Sequence, residues 1–163
     1  MSLNYKYNRD LTYSKKRKLN ILIVDDDINS LMLFKEILEA RGHNVSALDE
    51  GMKCISKCMN NTYDIIFVDY HIGDIDGVEL TDCLKDVLHT KSIIFAYTGD
   101  NSKDAIDKFK NIGMKGAIIK PIEISVIDNI INQFEMNIES NEKIINLTNK
   151  KLKSNSNSII YFD

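Results

Sequence analysis

Four apolar runs in this chain each stop on a residue able to do chemistry. Ile21-Leu22-Ile23-Val24 leads into Asp25-Asp26-Asp27, and Ile65-Ile66-Phe67-Val68 into Asp69. Ile93-Ile94-Phe95-Ala96-Tyr97 leads into Thr98, and Ala117-Ile118-Ile119 into Lys120-Pro121. Short runs that are apolar at every position, without alternation, mark parallel strands buried on both faces. In an open parallel sheet the carboxyl ends of the strands form the ligand crevice. The carboxylates of Asp25, Asp26 and Asp69, the Thr98 hydroxyl and the Lys120 ammonium are therefore expected along one sheet edge. Such a set suits a divalent cation and a phosphoryl group.

Between the runs the period changes to that of helices. A first strand near 20–24 leads to a helix near 28–41, with Leu31, Phe34 and Leu38 on one face and Gly42 as its stop. Asp27 is expected to cap that helix. His43–Leu48 reads as a second strand, and Asp49 as the cap of a helix reaching about Asn60. Residues 64–68 form the third strand, followed by a polar loop to Gly77 and a helix over about 78–88. A fourth strand at 92–97, a helix opened by Asn101 or Ser102 and closed by Gly113, a fifth strand at 116–119 and a helix from about Glu123 complete the series. Strict alternation implies right-handed crossovers and a doubly wound α/β fold: a five-stranded parallel sheet, flavodoxin-like, in the order 2-1-3-4-5. The switch point falls between strands 1 and 3, beside Asp25, Asp26 and Asp69.

The 163 residues suit one such domain with tails: a basic stretch over 1–19, a domain over 20–137 and a helical extension or linker over 138–163. Residues 1–20 carry six Lys or Arg against one Asp, so the rest of the chain is acidic. Lys15-Lys16-Arg17-Lys18 reads as a solvated linker; no aromatics are interleaved with it, and no nucleic-acid partner is expected. Three cysteines, an odd number, point to a reducing compartment, hence the cytoplasm. Cys54, Cys58 and Cys83 read as small core thiols, and the imidazoles of His43, His71 and His89 are not assigned to a metal. No apolar run reaches the ~20 residues of a membrane helix. Ile131, Ile138, Ile145 and Leu152 recur every seven residues, with Ile127 and Phe134 between them. A homodimer through the C-terminal helix would use that seam, although Asn141 and Thr148 interrupt it. Ile159-Ile160-Tyr161-Phe162 reads as a short strand or a boundary.

Mg²⁺ prefers oxygen ligands, often one or two carboxylates with phosphate oxygens and water. Without a cation, neighbouring carboxylates repel and one is driven toward its protonated form. A carboxylate can also attack phosphorus to give an aspartyl phosphate. Phosphoryl transfer mainly requires positioning and charge neutralisation, which Lys120 and Thr98 can supply.

These motifs resemble the receiver domain of two-component response regulators, over about residues 20–137. Ile-Leu-Ile-Val-Asp25-Asp26-Asp27 is similar to the first-strand acidic pair, and Asp69-Tyr-His-Ile-Gly-Asp-Ile-Asp76-Gly77 to the phosphoacceptor loop. Tyr97-Thr98-Gly99 resembles the switch hydroxyl with its small neighbour, and Ile119-Lys120-Pro121 the lysine whose bond to proline is usually cis. The resemblance implies Asp69 as the phosphorylated residue, with Asp25, Asp26, Asp69 and the backbone carbonyl of His71 holding Mg²⁺. It implies that Thr98 and Lys120 contact the phosphoryl group, and that the protein catalyses its own phosphoryl transfer and dephosphorylation. The implied donor is a phosphohistidine on a sensor histidine kinase or histidine phosphotransfer protein. The segment would stand alone or form part of a hybrid histidine kinase.

Some positions depart from the family pattern. Gly73 replaces a common proline, Gly99 a usual alanine, and Ala117 an aromatic on strand 5, which implies weaker coupling from Asp69 to the helix 4–strand 5–helix 5 face. Tyr97 is a candidate substitute for that ring. His71 and Asp100 occupy positions that in the family govern access of water. Three alternatives remain: a flavodoxin-like cofactor binder, disfavoured by the aspartates after strand 1; an aspartyl phosphatase, which would want an acid where His71 stands; and a pseudo-receiver interaction module that is not phosphorylated.

Overall fold

The structure, a computed structural model, describes residues 17–139 and 158–162. Its elements are β1 (Asn20–Val24), α1 (Ile28–Glu39), β2 (Asn44–Leu48), α2 (Gly51–Cys58), β3 (Ile65–Val68) and α3 (Gly77–Asp82). They continue with β4 (Ile93–Thr98), α4 (Lys103–Asn111), β5 (Gly116–Ile119), α5 (Ile124–Glu139) and β6 (Ile159–Tyr161). The order is β2-β1-β3-β4-β5-β6. The first five strands are parallel and follow the expected 2-1-3-4-5 order. β6 is an addition: it runs antiparallel along β5, so among the described residues the sheet has six strands, one beyond the expected five.

Successive strand residues point to opposite faces, which divides the core in two. Ile21, Ile23, Ile65 and Phe67 face α1 and α5, meeting Leu31, Phe34, Leu38, Ile127 and Ile131. Leu22, Val24, Ile66 and Val68 face the other layer, meeting Cys54, Leu80, Leu84 and Phe109. Phe34 sits 4.8 Å from Phe67 and 4.7 Å from Tyr97, ring centre to ring centre. Tilted contacts of this kind add about 0.5–1.5 kcal/mol each beyond area burial.

Asp27 caps α1, its carboxylate accepting from the Asn29 and Ser30 amides at 3.0 and 3.3 Å. Gly42, at φ +87°, turns the chain out of the helix. Ser102 caps α4, and Gly113 (φ +79°) follows its end.

Asp49 does not cap α2. It pairs instead with Lys53 at 2.9 Å. The residue at the cap position is Glu50, which makes no side-chain cap bond. The Gly51 and Met52 amides are met by Asp74, from the β3–α3 loop, at 2.9 Å each. α3 also differs from expectation: after Asp82 it widens into a π-helical stretch, Cys83–Val87.

Ile127 and Ile131 are core residues of the α1/α5 layer, and Phe134 packs against it. Those positions of the seven-residue pattern are therefore occupied within the domain. Ile145 and Leu152 lie outside the described residues, as does most of the basic tail. No helix among the described residues is long and apolar enough to cross a membrane.

Candidate functional site

The parallel register builds the site. Val24 aligns with Val68, and Val68 with Ala96, so Asp25 and Asp69 leave adjacent strands side by side. Thr98 aligns with Ile119, which brings Lys120 to the same edge. The Lys120 amide donates to the Thr98 carbonyl at 2.9 Å, continuing that alignment past the strand. The Lys120–Pro121 bond is cis.

Lys120 Nζ bridges two carboxylates, donating to Asp25 Oδ2 at 2.7 Å and to Asp69 Oδ2 at 2.9 Å. Asp25 is fully buried and Asp69 nearly so, while Asp26 is exposed. Ligand oxygens of Asp25, Asp26 and Asp69 all lie within 4.8 Å of one another. Asp25 Oδ1 accepts from the Asp27 amide at 2.9 Å. Asp69 Oδ1 takes a long bond, 3.4 Å, from the His71 amide. Thr98 is buried and its hydroxyl oxygen accepts from the Asp100 amide at 3.1 Å.

Burial raises the Asp69 carboxyl above the ordinary carboxylate range, against the opposing pull of Lys120; the nearby Asp25 charge raises it further. Burial alone would lower Lys120, but its bonds to Asp25 and Asp69 prevail and hold the ammonium charged. One ammonium thus serves two carboxylates, with a third beside them. That excess of negative oxygen ligands is the donor chemistry a hard dication takes. Asp69 combines a carboxylate oxygen with an adjacent cation, the requirements of a nucleophile toward phosphorus.

The surrounding loop is held closely. Asp76 caps α3 through the Val78 and Glu79 amides at 2.9 and 2.8 Å. The Gly77 amide donates to Tyr70 O at 2.9 Å. A Cβ on Gly77 would overlap the Asp69 carbonyl, so α3 can start this close to the acceptor loop only with glycine there. A Cβ on Gly99 would meet nothing within 4 Å, so alanine would fit there. His71 and Asp100 face each other with Nε2 and Oδ2 4.0 Å apart. Hydrogen bonds from the Ser102 amide and hydroxyl hold the Asp100 carboxyl below its usual range.

The structure gathers the side chains of Asp25, Asp26, Asp69 and Lys120, and sets Thr98 at the end of the neighbouring strand, where its carbonyl accepts from the Lys120 amide. It adds Tyr97, whose ring lies under Lys120 Nζ at 4.8 Å and whose oxygen accepts from the Ser30 hydroxyl at 3.2 Å. Ser30 could have been found only as the α1 residue one turn past the Asp27 cap, a weak signal. His43 is an acceptor for the Leu19 amide at 3.3 Å, in line with a structural role. The three cysteines are free thiols, Cys54 buried and the others half-buried.

Known proteins share this pattern. The family model of the response regulator receiver domain matches residues 21–132. The autoinducer 2 sensor kinase/phosphatase LuxQ of Vibrio cholerae is 24% identical over 119 residues, covering 73% of this chain and 14% of LuxQ. Sensor protein EvgS of Escherichia coli K12 is 26% identical over 139 residues, covering 85% of this chain and 12% of EvgS. The chain thus spans a small fraction of the length of these curated relatives. Among solved structures, a response regulator receiver domain protein from Methanospirillum hungatei JF-1 superposes with a TM-score of 0.69 at 24% identity, covering 76% of this chain and 99% of that one. A two-component response regulator from Clostridium difficile gives 0.69 at 26% identity, covering 74% and 98%. With its fold shared and its pattern matched over most of its length, the chain belongs to the response regulator receiver domain family of two-component signalling.

Proposed function

We propose that this receiver domain, over residues 20–137, accepts a phosphoryl group on Asp69 from a phosphohistidine. The observation that carries the reading is the Lys120 bridge between Asp25 and Asp69 at the ends of adjacent parallel strands. An Asp69 carboxylate oxygen attacks phosphorus, and the P–N bond to the donor imidazole breaks. The electron pair returns to the imidazole nitrogen, which takes up a proton. Lys120 leaves its resting carboxylates for the oxygens of the transferred group, and the Thr98 hydroxyl, one residue past the position beside Asp69, donates to another. Attack by water on phosphorus later returns the carboxylate and releases inorganic phosphate.

Asp25, Asp26, Asp69 and the His71 carbonyl would hold Mg²⁺, which would neutralise the phosphoryl oxygens. The donor would be a sensor histidine kinase or histidine phosphotransfer protein in the cytoplasm, the chain acting as a stand-alone receiver or as a segment of a hybrid kinase. The sensor kinase/phosphatase LuxQ and the sensor protein EvgS among the relatives support the second setting. A pseudo-receiver role is disfavoured because the acceptor, its acidic neighbours, the hydroxyl and the lysine are all in place.

The test is intact-mass spectrometry after incubation with Mg²⁺ and acetyl phosphate. One phosphate should be gained, and Asp69→Asn should gain none. Equal labelling of the variant would move the acceptor elsewhere.

A further inference from the structure

The site makes no use of Ser158–Phe162, yet the fold gives this segment a fitted seat. Tyr161 pairs with Gly116, Ile160 with Ala117 and Ile159 with Ile118. The Ile119 amide donates to Ser158 O, and the Phe162 amide to Lys115 O, both at 2.9 Å. Side chains enter both layers. Ile159 packs on the α1/α5 core, and the Tyr161 ring meets Phe95 edge-on at 6.3 Å. Phe162, 6% exposed, joins Ala117 and Phe109 on the other face. The seat depends on Gly116: a Cβ there would stand 2.5 Å from Ile160 O and 3.3 Å from the Phe95 ring.

Two features make this a seat that can empty. The strand is three residues long, and Ile160 and Tyr161 each remain 36% exposed. Short edge elements, held by few backbone bonds on one side only, belong to the less stable part of a fold. It is also separated from α5 by the 18 residues 140–157, a span of chain that lets the strand leave without α5 moving. An open edge of this kind accepts an extended segment through main-chain bonds, with alternate side chains giving the selectivity.

The seat borders the carboxylate site. Ile119, whose amide holds Ser158, is followed by Lys120, which bridges Asp25 and Asp69. Ser158 Oγ also hydrogen-bonds Glu123, just past the cis Lys120–Pro121 bond. Both ties at the start of β6 therefore flank the residue that must re-aim when an anion arrives at Asp69.

We propose that the β5 edge is a docking surface for an extended apolar strand, occupied at rest by the chain's own Ser158–Phe162, and that loading Asp69 releases this strand. The linkage rests on the phosphoacceptor reading; the seat itself does not. Lys120 turning from Asp25 and Asp69 to the added oxygens draws the Ile119–Glu123 backbone away from Ser158. Linkage is reciprocal, so a chain with the strand released should load more readily.

The experiment is amide hydrogen exchange by NMR on the full chain, free and with Mg²⁺ plus beryllofluoride, with ¹⁹F NMR reporting the adduct independently. In the free chain the Ile119 and Phe162 amides should be protected. Ile160→Pro, at an exposed edge position, and Gly116→Ala, from the β5 side, should each remove that protection while the β1 and β3 amides keep theirs. A synthetic peptide of residues 157–163 should restore Ile119 protection in Ile160→Pro. In the wild type the adduct should speed exchange at Ile119 and Phe162 at least tenfold. Unprotected amides in the free chain would overturn the docking surface. An adduct seen by ¹⁹F with unchanged exchange would overturn the linkage alone. No adduct at all would overturn the phosphoacceptor reading and the linkage with it, leaving the seat judged by the two variants.

Discussion

At the scale of single residues, the site is governed by a shortage of positive charge. Asp25 and Asp69 share Lys120, and burial with the Asp25 charge raises the Asp69 carboxyl. A carboxyl raised on folding takes up protons more readily in the native state. Ionising it therefore costs stability as pH rises from the unfolded-state range through its higher folded value. Asp69→Asn keeps an acceptor for Lys120 but removes the charge. We expect this variant to melt higher than wild type at pH 7, by roughly 2–4 °C for each kcal/mol relieved. The gain should fade below about pH 4, where Asp69 is protonated in both states. Thermal melts across that range check it; a variant that melts lower at pH 7 would mean that the Lys120 bridge outweighs repulsion. Asp26 makes a different case. It is exposed, it offers an oxygen within the acidic group, and Lys120 bridges its two neighbours instead. Asp26→Ala should weaken Mg²⁺ binding at least about tenfold, consistent with loss of one of few carboxylate ligands. Superimposable Mg²⁺ titrations of the two proteins would leave Asp26 as a bystander.

At the scale of elements, what the sequence disclosed depended on where each element's partners lie. β1, β3, β4 and β5 were legible because burial on both faces forces continuous apolar runs, and such runs carry their own signature. Asp27 and Ser102 were legible as caps because a cap bond spans only two or three residues. α2 was not, because its cap arrives from Asp74 in a distant loop while the nearer Asp49 is drawn to Lys53. β6 could be read only as one of two options, since three residues pair by virtue of the slot at Gly116 and not by any period of their own. The ring absent at Ala117 illustrates the same limit: Phe162 supplies a ring on that face from 45 positions further along the chain. The Asp74 cap is open to measurement. Backbone bonds from Met52 and Gly51 hold its carboxyl below the usual range, so its contribution is present near neutrality and lost as pH falls through that lowered value. Asp74→Ala should cost about 1 kcal/mol at pH 7, as cap removals typically do, and nearly nothing in strong acid. Denaturant titrations at the two pH values test this, and an equal loss at both would assign the effect to packing of the loop.

At the scale of the whole molecule, the order 2-1-3-4-5 decides the rest, because it sets β1 beside β3 and so gathers residues from four loops at one edge. The same topology settles a competition inside α5. Ile127, Ile131 and Phe134 fit a dimer seam by spacing, since positions four and seven apart lie on one helical face. They equally fit the inner face of a helix covering a sheet, and the fold uses them that way: Ile127 is 0% and Ile131 4% exposed. A knob buried in its own domain is not available to a second copy, and a seam reduced to Ile138, Ile145 and Leu152 is too short to hold two helices together, given that coiled coils need several sound heptads. The chain should therefore run as a monomer of 18.7 kDa by light scattering at micromolar concentration. Truncation after Asn137 should leave it a monomer. A dimer that disappears on truncation would restore a role for the residues beyond Asn137. A dimer that survives would place the contact on the domain itself. Ile160→Pro then separates the remaining case, in which two chains exchange their β6 strands: such a dimer would be lost in the full-length variant as well as in the truncated chain, whereas a helical seam would survive it.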